Sequence, residues 1–170
     1  YNGWQQYDRG QRLEAGAKFA TAKALIAENK PADAAALFAA LARESGTAYG
    51  MLARFHEAAL LIETGDKPAA AAAFRALSKD DSLDRPMREL AAILAALNGA
   101  DSGGGEIAAE LAPLAEEASP WRHTALEVLG LIARSEGRLD EAKAYFRRIV
   151  DDVEAPTNVR ARAAQMLSML

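Results

Sequence analysis

The feature that most constrains how this chain can fold is a repeat of 36 residues. Three stretches, residues 24–41, 60–77 and 132–149, align without gaps. Phe74 lies 36 residues after Phe38, and Phe146 lies 72 residues after Phe74. Each phenylalanine follows an alanine by four residues and precedes a large aliphatic residue by three. A repeat of this length predicts a helical hairpin that stacks on its neighbours, because one hairpin cannot bury its apolar face alone.

The turns of the repeat carry residue types that end helices. Asn29, Gly65 and Gly137 occupy the same place in the three copies, and Gly and Asn are the residues that most easily adopt the left-handed conformation after a helix. Such breakers divide the chain into about nine helical segments. No stretch alternates apolar and polar residues over the length of a strand. We therefore expect an all-α fold, a single domain over residues 1–170 built as an α-solenoid of tandem antiparallel hairpins.

A degenerate copy is expected between the second and third stretches, because their offset is twice the repeat length. It is centred on Asp101, with Glu106 and Glu110 where the other copies have alanine and phenylalanine. Residues 101–105, which read Asp-Ser-Gly-Gly-Gly, are predicted to form a flexible internal loop.

The boundaries of three helices follow from local signals. The first helix is predicted to start at Asp8, and the sixth to cover residues 106–117. Ser119 and Pro120 are predicted as the N-cap and first residue of the seventh helix, since serine caps well and proline suits a first turn.

Composition narrows the classes of function. The formal net charge of −4 argues against nucleic-acid binding, which needs a basic surface. The chain has no cysteine, which excludes disulfides, thiolate metal sites and a cysteine nucleophile. Its two histidines, His56 and His123, are 67 residues apart, and the glycine run at 103–105 lacks the strand and the Lys-Ser/Thr of a phosphate loop. The sequence therefore predicts a protein that is not an enzyme, without catalytic residues, cofactor or metal.

The first seven residues hold three aromatics, Tyr1, Trp4 and Tyr7. Tyrosine and tryptophan concentrate at the membrane–water interface, so residues 1–7 can be interpreted as the remnant of a juxtamembrane segment behind a transmembrane anchor. The alternative is that these aromatics pack on the first helix. No segment of the sequence has the roughly 18 consecutive apolar residues that span a bilayer, so an anchor would have to precede Tyr1.

The last copy of the repeat resembles the tetratricopeptide repeat (TPR) family. Leu129-Gly130 stands where TPRs carry a Leu-Gly pair, Ala142 and Phe146 match the second-helix Ala and Phe, and Pro156 lies near the repeat-ending proline. The first two copies lack the Leu-Gly pair, and the 36-residue spacing departs from the usual 34. The resemblance implies a protein-interaction domain in which the first helix of each hairpin lines a concave surface.

The resemblance also implies which positions face a partner. By TPR geometry the exposed positions of the first helices include Phe19, Lys23, Phe55, Ile62, Glu127 and Arg134. In the C-terminal helix, an apolar stripe is expected to cover the preceding hairpin as a cap. Met169 lies off that stripe and is expected to remain exposed, as a candidate contact for a partner.

Nearly the whole chain is similar to the YfgM-like family of ancillary subunits of the bacterial Sec translocon. The aromatic Gly3-Trp4 opening and the blocks that begin at Ala22, Pro120 and Asp151 carry the similarity. It implies an N-terminal membrane helix, a location on the periplasmic side of the inner membrane, and contact with translocon subunits, exported clients or membrane-anchored chaperones. Two other functions remain open, a repeat adaptor of envelope or outer-membrane assembly and a structural oligomerisation domain.

Overall fold

The computed structural model describes residues 2–44, 48–99, 104–116 and 119–170, with side chains from residue 9 onward and, after residue 99, from residue 106 onward. The described residues contain nine α-helices and no strand, which confirms the all-α prediction. The helices are α1 (Asn2–Ala27), α2 (Pro31–Arg43), α3 (Ala48–Glu63), α4 (Lys67–Ser78), α5 (Arg85–Gly99), α6 (Gly104–Leu111), α7 (Arg122–Ser135), α8 (Leu139–Val150) and α9 (Thr157–Ser168). A short 3₁₀ helix, Ala112–Ala115, follows α6. None of the described helices is long and apolar enough to cross a membrane.

The three predicted turns share one backbone geometry. Asn29, Gly65 and Gly137 have φ values of 59°, 87° and 75°. In each turn the next residue donates its N–H to a carbonyl five residues earlier, as Lys30 does to Leu25 and Arg138 does to Ala133, both at 2.8 Å. This pattern satisfies carbonyls that the helix end leaves free, which explains why the repeat has Gly or Asn there.

The chain divides into two compact units, residues up to Ala70 and residues 71–170, with the division inside α4. In the first unit α1, α2 and α3 pack against one another. Their shared core is rich in alanine, which lets the helices approach closely, and its residues are Ala15, Ala22, Ala34, Phe38, Leu41, Ala53 and Leu60. The expectation of a single domain stays a prediction.

In the second unit α7 lies at the centre. It pairs with α8 and also contacts α5, α6, the 3₁₀ helix and α9. Its Gly130 faces the ring of Phe146 so closely that a Cβ atom added there would lie 2.7 Å from the ring Cζ. Phe146 is completely buried, as are Ala142 and Ile149 of the same helix. The missing side chain of Gly130, in the Leu-Gly pair of the last repeat, therefore leaves the space that this aromatic ring fills.

The repeat prediction holds for the three intact copies. Phe38 and Phe146 have no exposed surface and Phe74 is only 2% exposed. The alanines four residues before them are fully buried. The aliphatic residues three positions after them are at most 3% exposed. The spacing of 36 residues thus located the core positions of α2, α4 and α8 correctly.

The degenerate copy packs in a register that is shifted by one residue from that of the intact copies. Glu106 is exposed, and the buried residues of this segment are Ile107, Leu111 and Leu114. Carboxylates are costly to bury without partners, so the helix turns by one residue and presents aliphatic side chains instead. Glu110 points outward, where its carboxylate lies 3.9 Å from Arg75 and 4.0 Å from Lys79.

Several predicted boundaries are wrong for physical reasons. Helix α6 ends at Leu111 rather than near residue 117, because Pro113 has no N–H and its ring blocks continuation of the helix. Ser119 is not the N-cap of α7, and its hydroxyl instead accepts the N–H of Trp121 at 3.1 Å in the turn that precedes the helix. Helix α7 therefore begins at Arg122, with Trp121 as N-cap and no side-chain cap.

The boundaries of two other predicted segments also differ in the structure. Helix α1 begins at Asn2 rather than Asp8, so residues 2–7 are helical, whereas Tyr1 and the side chains of Trp4 and Tyr7 lie outside the described residues. Of the predicted loop 101–105, residues 101–103 also lie outside them, and α6 already begins at Gly104.

The C-terminal helix forms the predicted cap. Helix α9 packs on α8 and α7. Its stripe consists of Val159 and Ala163, which are buried, and the half-buried Met166, Leu167 and Leu170, all joined to the core of the second unit. Met169 lies off the stripe and is 56% exposed. The exposed face of α9 is polar or small, as the end of a helical repeat array requires.

Candidate interaction surface

In the first unit, two of the positions expected to face a partner belong to α1. Lys23 is exposed, whereas Phe19 is half-buried. The ring of Phe19 contacts Phe38, Tyr49 and His56, with centroid distances of 5.5, 5.8 and 5.1 Å. The expectation of an exposed Phe19 is therefore wrong, because its ring joins α1, α2 and α3 in one aromatic cluster.

His56 completes this cluster and has a structural role. Its imidazole stacks on Phe38 with ring centroids 4.9 Å apart and planes within 7°. Burial lowers the pKa of His56, and the nearby positive charge of Lys23 lowers it further, while Glu63 acts in the opposite direction. Because its ordinary pKa is already below neutral, the imidazole is uncharged at pH 7.

On α3, Phe55 and Ile62 are both half-buried. They retain part of their surface for contact, but neither is a fully exposed position of the kind that the sequence suggested. Of the four expected contacts in the first unit, Lys23 is the one that is exposed.

In the second unit, Glu127 and Arg134 lie on α7 beside the capping helix. Glu127 accepts two hydrogen bonds from Arg162 of α9, at 2.7 Å from Nε and 2.8 Å from Nη2. Its side chain is only 15% exposed, so the expectation of an exposed Glu127 is wrong. Arg134 is exposed, and its Nη1 lies 3.3 Å from the sulfur of Met166. Together with Met169, these residues place cationic and thioether groups on neighbouring parts of α7 and α9.

The role of Arg162 was not predicted. It lies 35 residues after Glu127, which is close to one repeat length, and equivalent residues one repeat apart are neighbours in a helical array. The signal was thus present as a pair of opposite charges at repeat spacing. A bidentate Arg–carboxylate pair of this kind fixes the orientation of both side chains.

A second polar cluster joins the start of α7 to the segment between α8 and α9. The carboxylate of Asp152 lies 2.8 Å from Nε2 of His123 and also accepts a hydrogen bond from Arg122. The hydrogen bond with His123, followed by that from the backbone N–H of Glu154, lowers the pKa of Asp152 to about 2. Asp152 is therefore ionised at neutral pH and anchors this segment.

Possible metal ligands are not clustered in the part of the chain that the structure describes. No group of three or more His, Asp or Glu side chains there is arranged to hold a metal ion. The helical surfaces carry exposed charged and apolar side chains, which suit contacts with other proteins.

Comparison with protein families identifies the chain. The model of the tetratricopeptide repeat-like domain matches residues 1–168. The chain belongs to the tetratricopeptide repeat-like family. Comparison with curated proteins and with solved structures gave no significant match. The TPR-like signature therefore covers nearly the whole sequence, including the degenerate third copy and the capping helix.

Membership of the TPR-like family indicates the kind of function that this arrangement of helices serves. Domains of this family act as scaffolds for protein–protein interaction and are typically not enzymes. In the second unit, the first helices of the hairpins and the cap lie side by side in the order α5, α7, α9. Arg134 and Met169 are the exposed candidate contacts on this part of the domain.

Proposed function

We propose that this TPR-like domain is the partner-binding part of a periplasmic scaffold that is tethered to the bacterial inner membrane. The tether would be a single helix that precedes Tyr1, on the model of the YfgM-like family. The aromatic residues at the start of the chain and the sequence blocks at Ala22, Pro120 and Asp151 support this proposal. The absence of cysteine agrees with an oxidising compartment.

The proposed partners are subunits of the Sec translocon, exported clients or membrane-anchored periplasmic chaperones. The observation that carries a binding role is the surface of α7 and α9, where Arg134 and Met169 are exposed and the Glu127–Arg162 pair joins the two helices. An exposed cation and a flexible thioether on this surface suit a segment that presents acidic and apolar side chains. Such a segment would lie across the neighbouring helices.

Two alternative functions would use the same surface for other contacts. A repeat adaptor of envelope assembly would use the domain in the same way with different partners. A structural oligomerisation domain would bury Met169 between copies of this chain. Because the described residues of α9 have a mainly polar outer face, self-association through the cap is the less favoured function.

The full-length protein in its native membrane tests the proposed location and partners. We expect it to fractionate with the inner membrane, and we expect protease to reach the domain only from the periplasmic side. Affinity purification after mild solubilisation is expected to recover translocon subunits or chaperones. A freely soluble full-length protein, or recovery of outer-membrane assembly factors instead, would contradict the proposal.

A further inference from the structure

The first unit contains a groove that none of the sequence-predicted contact positions lines. It lies between the start of α2 and the last two turns of α3 and has a volume of about 340 Å³. Its lining residues are Pro31, Ala32, Ala35, Glu57, Leu60, Leu61 and Thr64. This volume is at the lower end of the range for ligand sites, so the groove suits a few side chains of a partner.

The residues that line the groove offer few hydrogen-bonding groups to a ligand. Five of the seven lining residues are aliphatic. The hydroxyl of Thr64 is already used, because it donates to the carbonyls of Leu60 and Leu61 at 3.1 and 3.2 Å. The short side chains of Ala32 and Ala35 allow the backbone of a partner to approach α2 closely. An aliphatic side chain is therefore the natural occupant of most of this space.

Glu57 is the exception among the lining residues. It is half-buried, and no hydrogen bond or ion pair joins its carboxylate to the residues that the structure describes. Burial raises the pKa of Glu57, whereas Arg43 and Arg54 oppose that rise from a distance. A partly desolvated carboxylate without a direct partner gains from a cation placed beside it.

The two segments that form the walls are acidic. Residues 31–41 and 57–66 contain no lysine or arginine. Their charged residues are Asp33, Glu57, Glu63 and Asp66. The nearest preceding cation, Lys30, is paired with Glu28 at 2.7 Å. The wall segments themselves carry only negative charge, while Lys67 follows them and Arg43 and Arg54 act on Glu57. The charge complement of the groove is therefore a cation placed at Glu57 itself.

We propose that this groove docks a basic amphipathic helix of a partner protein. A leucine-type side chain of that helix fills the space between Ala32, Leu60 and Leu61, and a lysine or arginine one turn away pairs with Glu57. One turn is the spacing at which two helical side chains lie on the same face. The inference does not rest on the proposed translocon association, since it concerns a different surface and a different part of the fold.

A direct binding measurement tests this inference with the 170-residue chain. The probe is a fluorescein-labelled amphipathic peptide of about 18 residues, with leucines at helical spacing and lysines flanking them. We expect saturable binding by fluorescence anisotropy. A photoreactive leucine in the peptide is expected to attach to residues 31–35 and 60–64. We expect Glu57→Gln to weaken binding about tenfold, the effect of losing one charge-assisted contact. Ala32→Leu fills the groove from an exposed position and is expected to abolish binding while circular dichroism stays unchanged.

Matched controls separate groove binding from general attraction. Glu63→Gln removes the same charge from the same helix outside the groove, and a peptide with glutamate in place of lysine has the opposite charge. We expect less than about a twofold effect from Glu63→Gln at physiological salt, because exposed charges are screened. Equal losses in the two glutamine variants, binding of the acidic peptide, or no saturable binding up to about 1 mM would overturn the proposal. A dimer of the wild-type chain that Ala32→Leu dissociates would also overturn it, because the groove would then bind a second copy.

Discussion

Replacing Phe146 with alanine is expected to destabilise the second unit by about 3–5 kcal/mol, the usual cost of truncating a fully buried aromatic. The ring has no exposed surface and packs in the core around α7 and α8. Its neighbours include Gly130, whose missing side chain leaves no group that could move in to fill the cavity. Urea denaturation followed by circular dichroism measures the effect.

The control for Phe146→Ala is Arg147→Ala on the same helix. Arg147 is exposed, so its replacement is expected to change the free energy of unfolding by no more than about 0.5 kcal/mol. A loss below about 1 kcal/mol for Phe146→Ala would mean that the ring is not in the core and that the register of α8 is different.

Replacing Gly130 with alanine is expected to cost about 2 kcal/mol, although alanine is the better helix former. A Cβ atom at this position would lie 2.7, 2.8 and 3.1 Å from three carbons of the Phe146 ring. The ring is enclosed on all sides, so relief requires movement of the helices, at roughly 3 kcal/mol for overpacking. The helix propensity of alanine offsets about 1 kcal/mol of that cost.

The clash can be tested by shortening the ring that causes it. In a Phe146→Leu background the added methyl group has more room, so Gly130→Ala is expected to cost at least about 1 kcal/mol less than in the wild type. Purely additive effects of the two changes in the same denaturation assay would show that Gly130 is not required for this contact.

The core of the intact repeats could be predicted because one local rule governs each position. The φ values of Asn29, Gly65 and Gly137 and the burial of Phe38, Phe74 and Phe146 all follow from residue type and spacing. Turn conformation and close helix contact depend on residues that are near in sequence or one repeat apart. The periodicity of the sequence was therefore enough to predict these turns and core positions.

The register of the third copy could not be predicted from the periodicity alone. Counting 36 residues aligns Glu106 and Glu110 with the alanine and phenylalanine of the other copies, whereas Ile107, Leu111 and Leu114 form a buried stripe at helical spacing one residue away. The physical preference for burying aliphatic side chains determined the register. That signal was available in the sequence.

The surface positions could not be predicted to the same degree, because exposure depends on partners distant in sequence. Helix geometry alone does not reveal that Phe19 meets rings from α2 and α3. It also does not reveal that Arg162 of α9 donates a hydrogen bond to Glu127. The predicted exposure is confirmed for Lys23, Arg134 and Met169.

Site-specific photo-cross-linking of the full-length protein in its native membrane tests the proposed binding role most directly. A photoreactive residue is placed in turn at the positions of Arg134, Met169 and, as the control on α8, the exposed Arg147. We expect positions 134 and 169 to yield adducts with translocon subunits, exported clients or chaperones, and position 147 to yield none. Adducts of equal strength from all three positions, or from position 147 alone, would contradict recognition through α7 and α9.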